Sequence, residues 1–270
     1  MVENKNKFCN LKIISYYTGY VILWTAALML LPIITSIAFK EWNTVLDFII
    51  SIDISAGIGM IFILFGKDTV GKVKVEWKHG LIIASLSWFL LMFLSAIPYK
   101  LRGHVGSYLD AIFDVMSGFT TTGLVLTQDL EHLALGMNMW RHIITFVGGQ
   151  GMVVLALCFL VRDTAGAYKM YVGEGKDIEL VPNVKGTARI IWKISMIYLV
   201  VGTLILWING MFIGLKPVSA FFHGLFIFMS AWSTGGFAPM SQNMLYYHSF
   251  SYEIVTMIFF IVGSFNFGLH

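Results

Sequence analysis

Charge is what this sequence has least of. Only 12% of its 270 residues are Asp, Glu, Lys or Arg, where a soluble globular domain carries about a quarter. Cys9 and Cys158 are too few and too differently placed for a disulfide framework. His104, His132, His142, His223 and His248 stand at no metal-ligand spacing, and no adjacent cysteine completes a site. Ser-His-Asp order and a zinc-helix pattern are both missing. The "GEGK" at Gly173–Lys176 lacks the strand–loop–helix context and the Ser or Thr of a phosphate loop. These absences disfavour an enzyme, and the net charge of +3 says nothing of a nucleic-acid partner.

In place of charge stand long uncharged runs. Ile13–Phe39 holds 27 residues, Gly80–Tyr99 holds 20, His142–Val161 holds 20 and Ile194–Leu215 holds 22. Each meets the roughly 20 residues that a helix needs to cross a bilayer core. Thr44–Gly66 is a weaker span because it contains Asp47 and Asp53, and Ile254–His270 reaches the last residue. The first run is too long for the apolar stretch of a signal peptide, and no small-residue cleavage site follows it. The composition therefore predicts an all-α polytopic membrane protein.

Lysine and arginine orient it. With the amino terminus inside, thirteen of the eighteen basic residues fall in inside segments, among them Lys5, Lys7, Lys12, Lys67, Lys72, Lys74, Lys78, Arg162 and Arg189. Lys40, Lys100, Arg102, Arg141 and Lys216 fall outside. Positive charge stays cytoplasmic, so Tyr99–Met139 and Lys216–Tyr252 are expected on the outer face of the cytoplasmic membrane.

Between two spans lies a shorter apolar patch, Tyr108–Phe119. At 1.5 Å per residue its 12 residues cover roughly 18 Å, little more than half a bilayer. Ser107 with Asp110 reads as a capping box, and Thr120, Thr121, Thr122 and Gly123 then break the helix. Two readings fit this patch alone: an interfacial helix before an ordinary loop, or a re-entrant loop lining a cavity.

A repeat favours the second. Shifted by 113 residues, "LDAIFDVMSGFTTTGL" (Leu109–Leu124) lies over "FHGLFIFMSAWSTGGF" (Phe222–Phe237) without a gap. Phe113, Met116, Ser117, Thr121 and Gly123 meet identical residues, and glycines interrupt both following helices at Gly148, Gly149, Gly151 and Gly263. Cation filters replace an ion's water shell with backbone carbonyls and threonine hydroxyls, and glycine permits the backbone angles this needs. The expected ion-binding positions are therefore Thr121, Thr122, Gly123, Leu124, Thr234, Gly235, Gly236 and Phe237, with potassium at the Gly123 and Gly236 carbonyls. Leu124 and Phe237 stand where the potassium-channel signature has tyrosine, and Val125 and Ala238 where it has its second glycine. That predicts a less rigid carbonyl stack.

At these residues the chain resembles the Trk/Ktr/HKT superfamily of potassium and sodium uptake proteins, most of all its bacterial Trk-type membrane subunit. "SGFTTTG" (Ser117–Gly123), "WRHIITFVGGQGMVVLALCFL" (Trp140–Leu160), "SAWSTGGFAP" (Ser230–Pro239) and "GSFNFGLH" (Gly263–His270) carry the resemblance. It implies four helix–loop–helix repeats around one pore, usually after an extra helix pair, with one filter glycine from each. It also implies a homodimer docked on a cytoplasmic nucleotide-binding regulatory subunit, so that nucleotide enters only through that partner and this chain binds no cofactor of its own.

Two repeats stand here, not four. The expected plan is a leading helix pair over 1–79, a first repeat over 80–162, a cytoplasmic linker over 163–189 and a second repeat over 190–270. Two further repeats would come from a missing carboxyl-terminal half or from a second chain. Potassium uptake is the expected function. The alternatives are a sodium-coupled or sodium-permeable transporter of the same fold, and a secondary carrier, which inverted rather than parallel repeats would mark. Thr122 and Gly235 precede the filter glycines at a position tied to sodium preference in plant relatives and fix no ion choice.

Other residues have two readings. Asp110, Thr120 and Ser233 are candidates for the vestibule or for support of the filter. Asp114 either neutralises the cation vestibule or hydrogen-bonds behind the filter. Asp110, Asp129 and Glu131 either concentrate cations at the mouth or belong to a solvated loop. Asp53 is intramembrane, which marks function by default, yet its helix pair lies outside the pore in the family. Arg141 is expected to anchor its helix at the membrane interface.

Overall fold

The structure, a computed structural model, describes residues 2–72, 75–151 and 184–265, and every regular element among them is helical. In chain order these are α1 (Val2–Leu28), α2 (Leu30–Ala38), α3 (Trp42–Gly66), α4 (Trp77–Arg102), α5 (Tyr108–Phe119), α6 (Leu135–Gln150), α7 (Val184–Phe212), α8 (Pro217–Trp232) and α9 (Phe250–Gly263). Four stretches are long and apolar enough to cross a membrane: Cys9–Ala38, Trp42–Thr69, Lys78–Arg102 and Arg189–Phe212. The run His142–Val161 is described only as far as Gly151, and the segment with "GEGK" lies outside the described residues.

Two compact units divide the chain. In the unit that holds Met1–Leu30 and Ile49–Ser95, α1 and α3 meet at glycines. A Cβ on Gly19 would stand 2.7 Å from the Gly59 carbonyl oxygen, so only glycine lets the two backbones approach this closely. The Ser15 hydroxyl donates to the Phe62 carbonyl at 3.0 Å and so stays satisfied on an apolar helix. Asp53 is exposed on α3.

The unit that holds Leu31–Phe48, Ala96–Gln150 and Ile191–His270 contains both loops. Here α6 packs against α5 and α8, and α8 packs against α9. Phe146, Phe228, Trp232, Tyr252 and Phe259 form its apolar centre. The two repeats cross in the same way. A Cβ on Gly148 of α6 would overlap the Phe119 carbonyl at the end of α5, and one on Gly263 of α9 would overlap the Trp232 carbonyl at the end of α8. Because Phe119 and Trp232 are 113 residues apart and Gly148 and Gly263 are 115, the repeat continues with a two-residue insertion between bend and helix.

Glu41, in the turn between α2 and α3, caps α6 from a distance. Its carboxylate accepts the Leu135 N–H at 2.7 Å and the Gly136 N–H at 3.0 Å. Those are orphan donors of a helix start, where negative charge is favoured.

Candidate functional site

Local chemistry explains how each short helix begins and ends. The capping box expected for α5 is present: Ser107 Oγ accepts the Asp110 N–H at 3.1 Å, and Asp110 Oδ2 accepts the Ser107 N–H at 2.7 Å. The α8 helix starts four residues earlier than the repeat register predicts, because Pro217 at its first turn has no N–H to leave unsatisfied.

Their carboxyl ends match bond for bond. Thr121 N–H donates to the Gly118 carbonyl and Thr122 N–H to the Ser117 carbonyl, at 3.0 and 2.8 Å. Thr234 N–H donates to Ala231 and Gly235 N–H to Ser230, at 3.0 and 2.8 Å. This is the Schellman motif, whose pivotal residue adopts a left-handed conformation and is usually glycine. Here the pivots are threonines, with φ of 53° at Thr121 and 52° at Thr234. A left-handed residue with a side chain costs about 1–2 kcal/mol. The same backbone strain therefore stands at equivalent places in both bends.

Two residues on, the backbone turns left-handed again, at glycine: φ is 81° at Gly123 and 84° at Gly236. The bends meet at these points. A Cβ on Gly123 would overlap the Gly235 carbonyl oxygen and stand 3.4 Å from the Gly236 Cα. The geometry thus brings together Thr122, Gly123, Gly235 and Gly236, with Thr234 and Thr122 lining one cavity of about 450 Å³.

The remaining predicted positions divide by their surroundings. Thr120 and Ser233 turn their hydroxyls back to the Met116 and Met229 carbonyls, at 2.8 and 2.7 Å, and Thr120 also meets Thr122 Oγ1 at 2.8 Å. Asp110 is engaged by the capping box. Asp114 is buried, and its carboxylate accepts hydrogen bonds from the Leu126 N–H and from the Thr127 N–H and hydroxyl, tying down the strand after the first bend. Leu124 is 57% exposed while its repeat partner Phe237 is 2% exposed. The difference arises because α6 covers the second bend: Thr145 packs on Gly235, Ser233 on Gly149, and the Arg141 guanidinium lies 4.7 Å over the Phe237 ring.

Arg141 corrects an expectation. It is fully buried rather than placed at an interface, and it donates to Asn138 Oδ1 at 3.1 Å and to the Ala238 carbonyl at 3.2 Å. Its position one residue before an uncharged run made it look terminal, but α6 begins six residues earlier, at Leu135. Sequence reasoning also missed Asn243. Its left-handed backbone (φ 53°) aims the side-chain amide at the Gly236 carbonyl, 3.0 Å away.

Acidic residues link the loops beyond the bends. Glu131 accepts the Ser241 N–H at 2.9 Å and its hydroxyl at 2.8 Å, and these bonds hold its carboxyl below the usual carboxylate range. Asp129 meets His132 Nδ1 at 2.9 Å. Their hydrogen bond and opposite charges lower the Asp129 pKa and raise that of His132. No cluster of three or more potential metal ligands from His, Cys, Asp and Glu occurs among the described residues.

Known proteins share this plan. A family model described as cation transport protein, TrkH, matches residues 52–270. The chain is 29% identical over 260 residues to an uncharacterized cation transporter of Methanocaldococcus jannaschii, covering 95% of this chain and 51% of that relative. To the Trk system potassium uptake protein TrkH of Halomonas elongata it is 27% identical over 268 residues, covering 97% of this chain and 53% of that protein. The solved potassium transporter TrkH from Vibrio parahaemolyticus shares the fold with a TM-score of 0.77 at 22% identity, over 96% of this chain and 51% of that one. The chain spans about half the length of the relatives it matches. With apolar spans around two matching bends and a family match over residues 52–270, this multi-pass membrane protein belongs to the TrkH family of cation transport proteins.

Proposed function

We propose that the chain takes up potassium as the pore-forming subunit of a Trk-type transporter, with Thr121–Leu124 and Thr234–Phe237 facing the ion. The carrying observation is the paired bends: left-handed threonine, then left-handed glycine, at equivalent positions of both repeats, with the glycines in contact. Carbonyls and hydroxyls presented by strained, over-determined backbone suit a dehydrated cation. The distribution of basic residues supports a cytoplasmic amino terminus. A homodimer and a cytoplasmic nucleotide-binding regulatory subunit complete the proposed assembly.

Two loops do not enclose an ion, and the contacts suggest how the ring closes. The packing of α6 on the second loop is heterologous, one surface on a different one. Among the described residues, each of its two halves recurs without the other. The 115-residue offset carries Asn138, Arg141, His142 and Thr145 onto Glu253, Thr256, Met257 and Phe260 of α9, which line the cavity beside the second bend. At the other end Leu124 of the first loop is exposed. In the proposed pore, a third loop seats on α9 and the helix after a fourth covers the first loop. These repeats come from more of the same polypeptide or from a second chain.

The test is growth of a potassium-uptake-deficient bacterium on low potassium, with Gly123→Ser and Gly236→Ser alongside the parent. Rescue by the parent and failure of both variants is the expected result; equal rescue by all three sinks the filter assignment. Rubidium uptake with and without sodium separates potassium transport from sodium-coupled transport.

A further inference from the structure

Arg141 is the only fully buried guanidinium among the described residues. Placing such a charge inside a membrane protein is expensive, and its retention calls for a role. Its contacts converge on one strand. Nη1 donates to the Ala238 carbonyl at 3.2 Å, the guanidinium covers the Phe237 ring at 4.7 Å, and Asn138 Oδ1 steadies the same nitrogen at 3.1 Å. The other end of that strand is pinned by the Asn243 amide on the Gly236 carbonyl, 3.0 Å away. The Ala238 carbonyl is thereby turned into the buried protein, and the Gly235 oxygen lies against Gly123, where the two bends meet.

A counter-charge serves the neighbouring strand. Asp114 lies within electrostatic reach of Arg141 and holds Leu126 and Thr127 of the first loop. This couple is built once. The repeat equivalents are Ile227 for Asp114 and Thr256 for Arg141, neither of them charged.

We propose that Arg141 is a positioning residue that sets ion discrimination in the second loop, holding Gly236–Ala238 so that Gly235 rather than Ala238 presents its carbonyl to the ion. It does so from the first repeat's helix, so the two loops are set as a unit. The assignment rests on the cation pathway proposed above. A simple packing role would need only bulk, which methionine supplies; the positioning role needs a donor that reaches Ala238.

The test uses the full chain in a potassium-uptake-deficient strain, comparing Arg141→Met, Arg141→Gln and Arg141→Lys at matched membrane levels. The readouts are the KM and maximal rate of rubidium uptake and its inhibition by sodium. Losing a charge-assisted hydrogen bond at a buried carbonyl is expected to raise the KM of Arg141→Met about 10-fold and to increase sodium inhibition. Arg141→Lys, which keeps charge and donor, restores most of the discrimination, and Arg141→Gln falls between. An active parent whose Arg141→Met variant keeps its KM and sodium response overturns the assignment alone. So does a set in which Arg141→Met and Arg141→Gln fail to reach the membrane while Arg141→Lys arrives with sodium inhibition unlike the parent's. A parent with no rubidium uptake overturns the transport reading and this assignment with it.

Discussion

Gly123 and Gly236 are the same position in two copies of a repeat, yet alanine should act on them unequally. Both hold left-handed backbone, at φ 81° and 84°, so a side chain costs each about 1–2 kcal/mol in conformation alone. At Gly236 little is added. The nearest atom to the new Cβ is the Gly123 Cα at 3.7 Å, an ordinary contact. At Gly123 the Cβ overlaps the Gly235 carbonyl oxygen, with the Gly235 carbon at 3.3 Å and the Gly236 Cα at 3.4 Å behind it. These are backbone atoms with no rotamer to move into, and overpacking of this kind costs a further ~1–3 kcal/mol. The displaced group is moreover a carbonyl that we assign to the ion. If the extra cost falls on the transporting geometry, Gly123→Ala loses about 5- to 150-fold more uptake than Gly236→Ala. Rubidium uptake at matched membrane levels measures the ratio. Equal losses, or a larger loss at Gly236, would refute the claim that the two loops meet at the Gly235 carbonyl.

Two further outcomes follow from local geometry. Glycine at Thr121 or Thr234 relieves a left-handed threonine, so either variant should be more heat-stable in detergent by roughly 1 kcal/mol while losing uptake; a variant that gains stability and keeps full uptake shows that the hydroxyl is not a ligand. Among solvent-facing groups, His132 should titrate above its ordinary 6.5 because Asp129 accepts its hydrogen bond and opposes its charge. The stabilisation from His132 is present below 6.5 and fades as pH rises through the raised value, and that from Asp129 is present above 3.8 and fades as pH falls through the depressed one. An NMR titration should show His132 returning to about 6.5 in Asp129→Asn, and an unchanged titration would dissolve the pair.

How far the sequence could be read depended on the range of the interaction. The α5 helix was legible to the residue, because Ser107, Asp110 and the threonine run act within a few positions of one another. The start of α8 is set by Pro217, a local signal that the repeat register does not carry. The sequence gives Asp114 two possible roles, because its partners, 12 and 13 residues away across a bend, come within reach only once the bend is folded. Arg141 was misplaced because a lone arginine beside an apolar run has the same pattern whether it meets headgroups or a carbonyl 97 residues on.

Some properties were determined by sequence alone because bilayer thickness and backbone hydrogen bonding leave few choices. Runs of about 20 uncharged residues must span as helices, a 12-residue run must stop short, and a repeat of 113 residues must fold twice in the same way. What tertiary structure decided is the inequality of the two copies. Phe237 is buried and Leu124 exposed, Gly123 meets a carbonyl where Gly236 meets an open approach, and only the second strand is held by a guanidinium. The physical reason is that α6 follows the first loop and covers the second, so equivalent sequences occupy different surroundings.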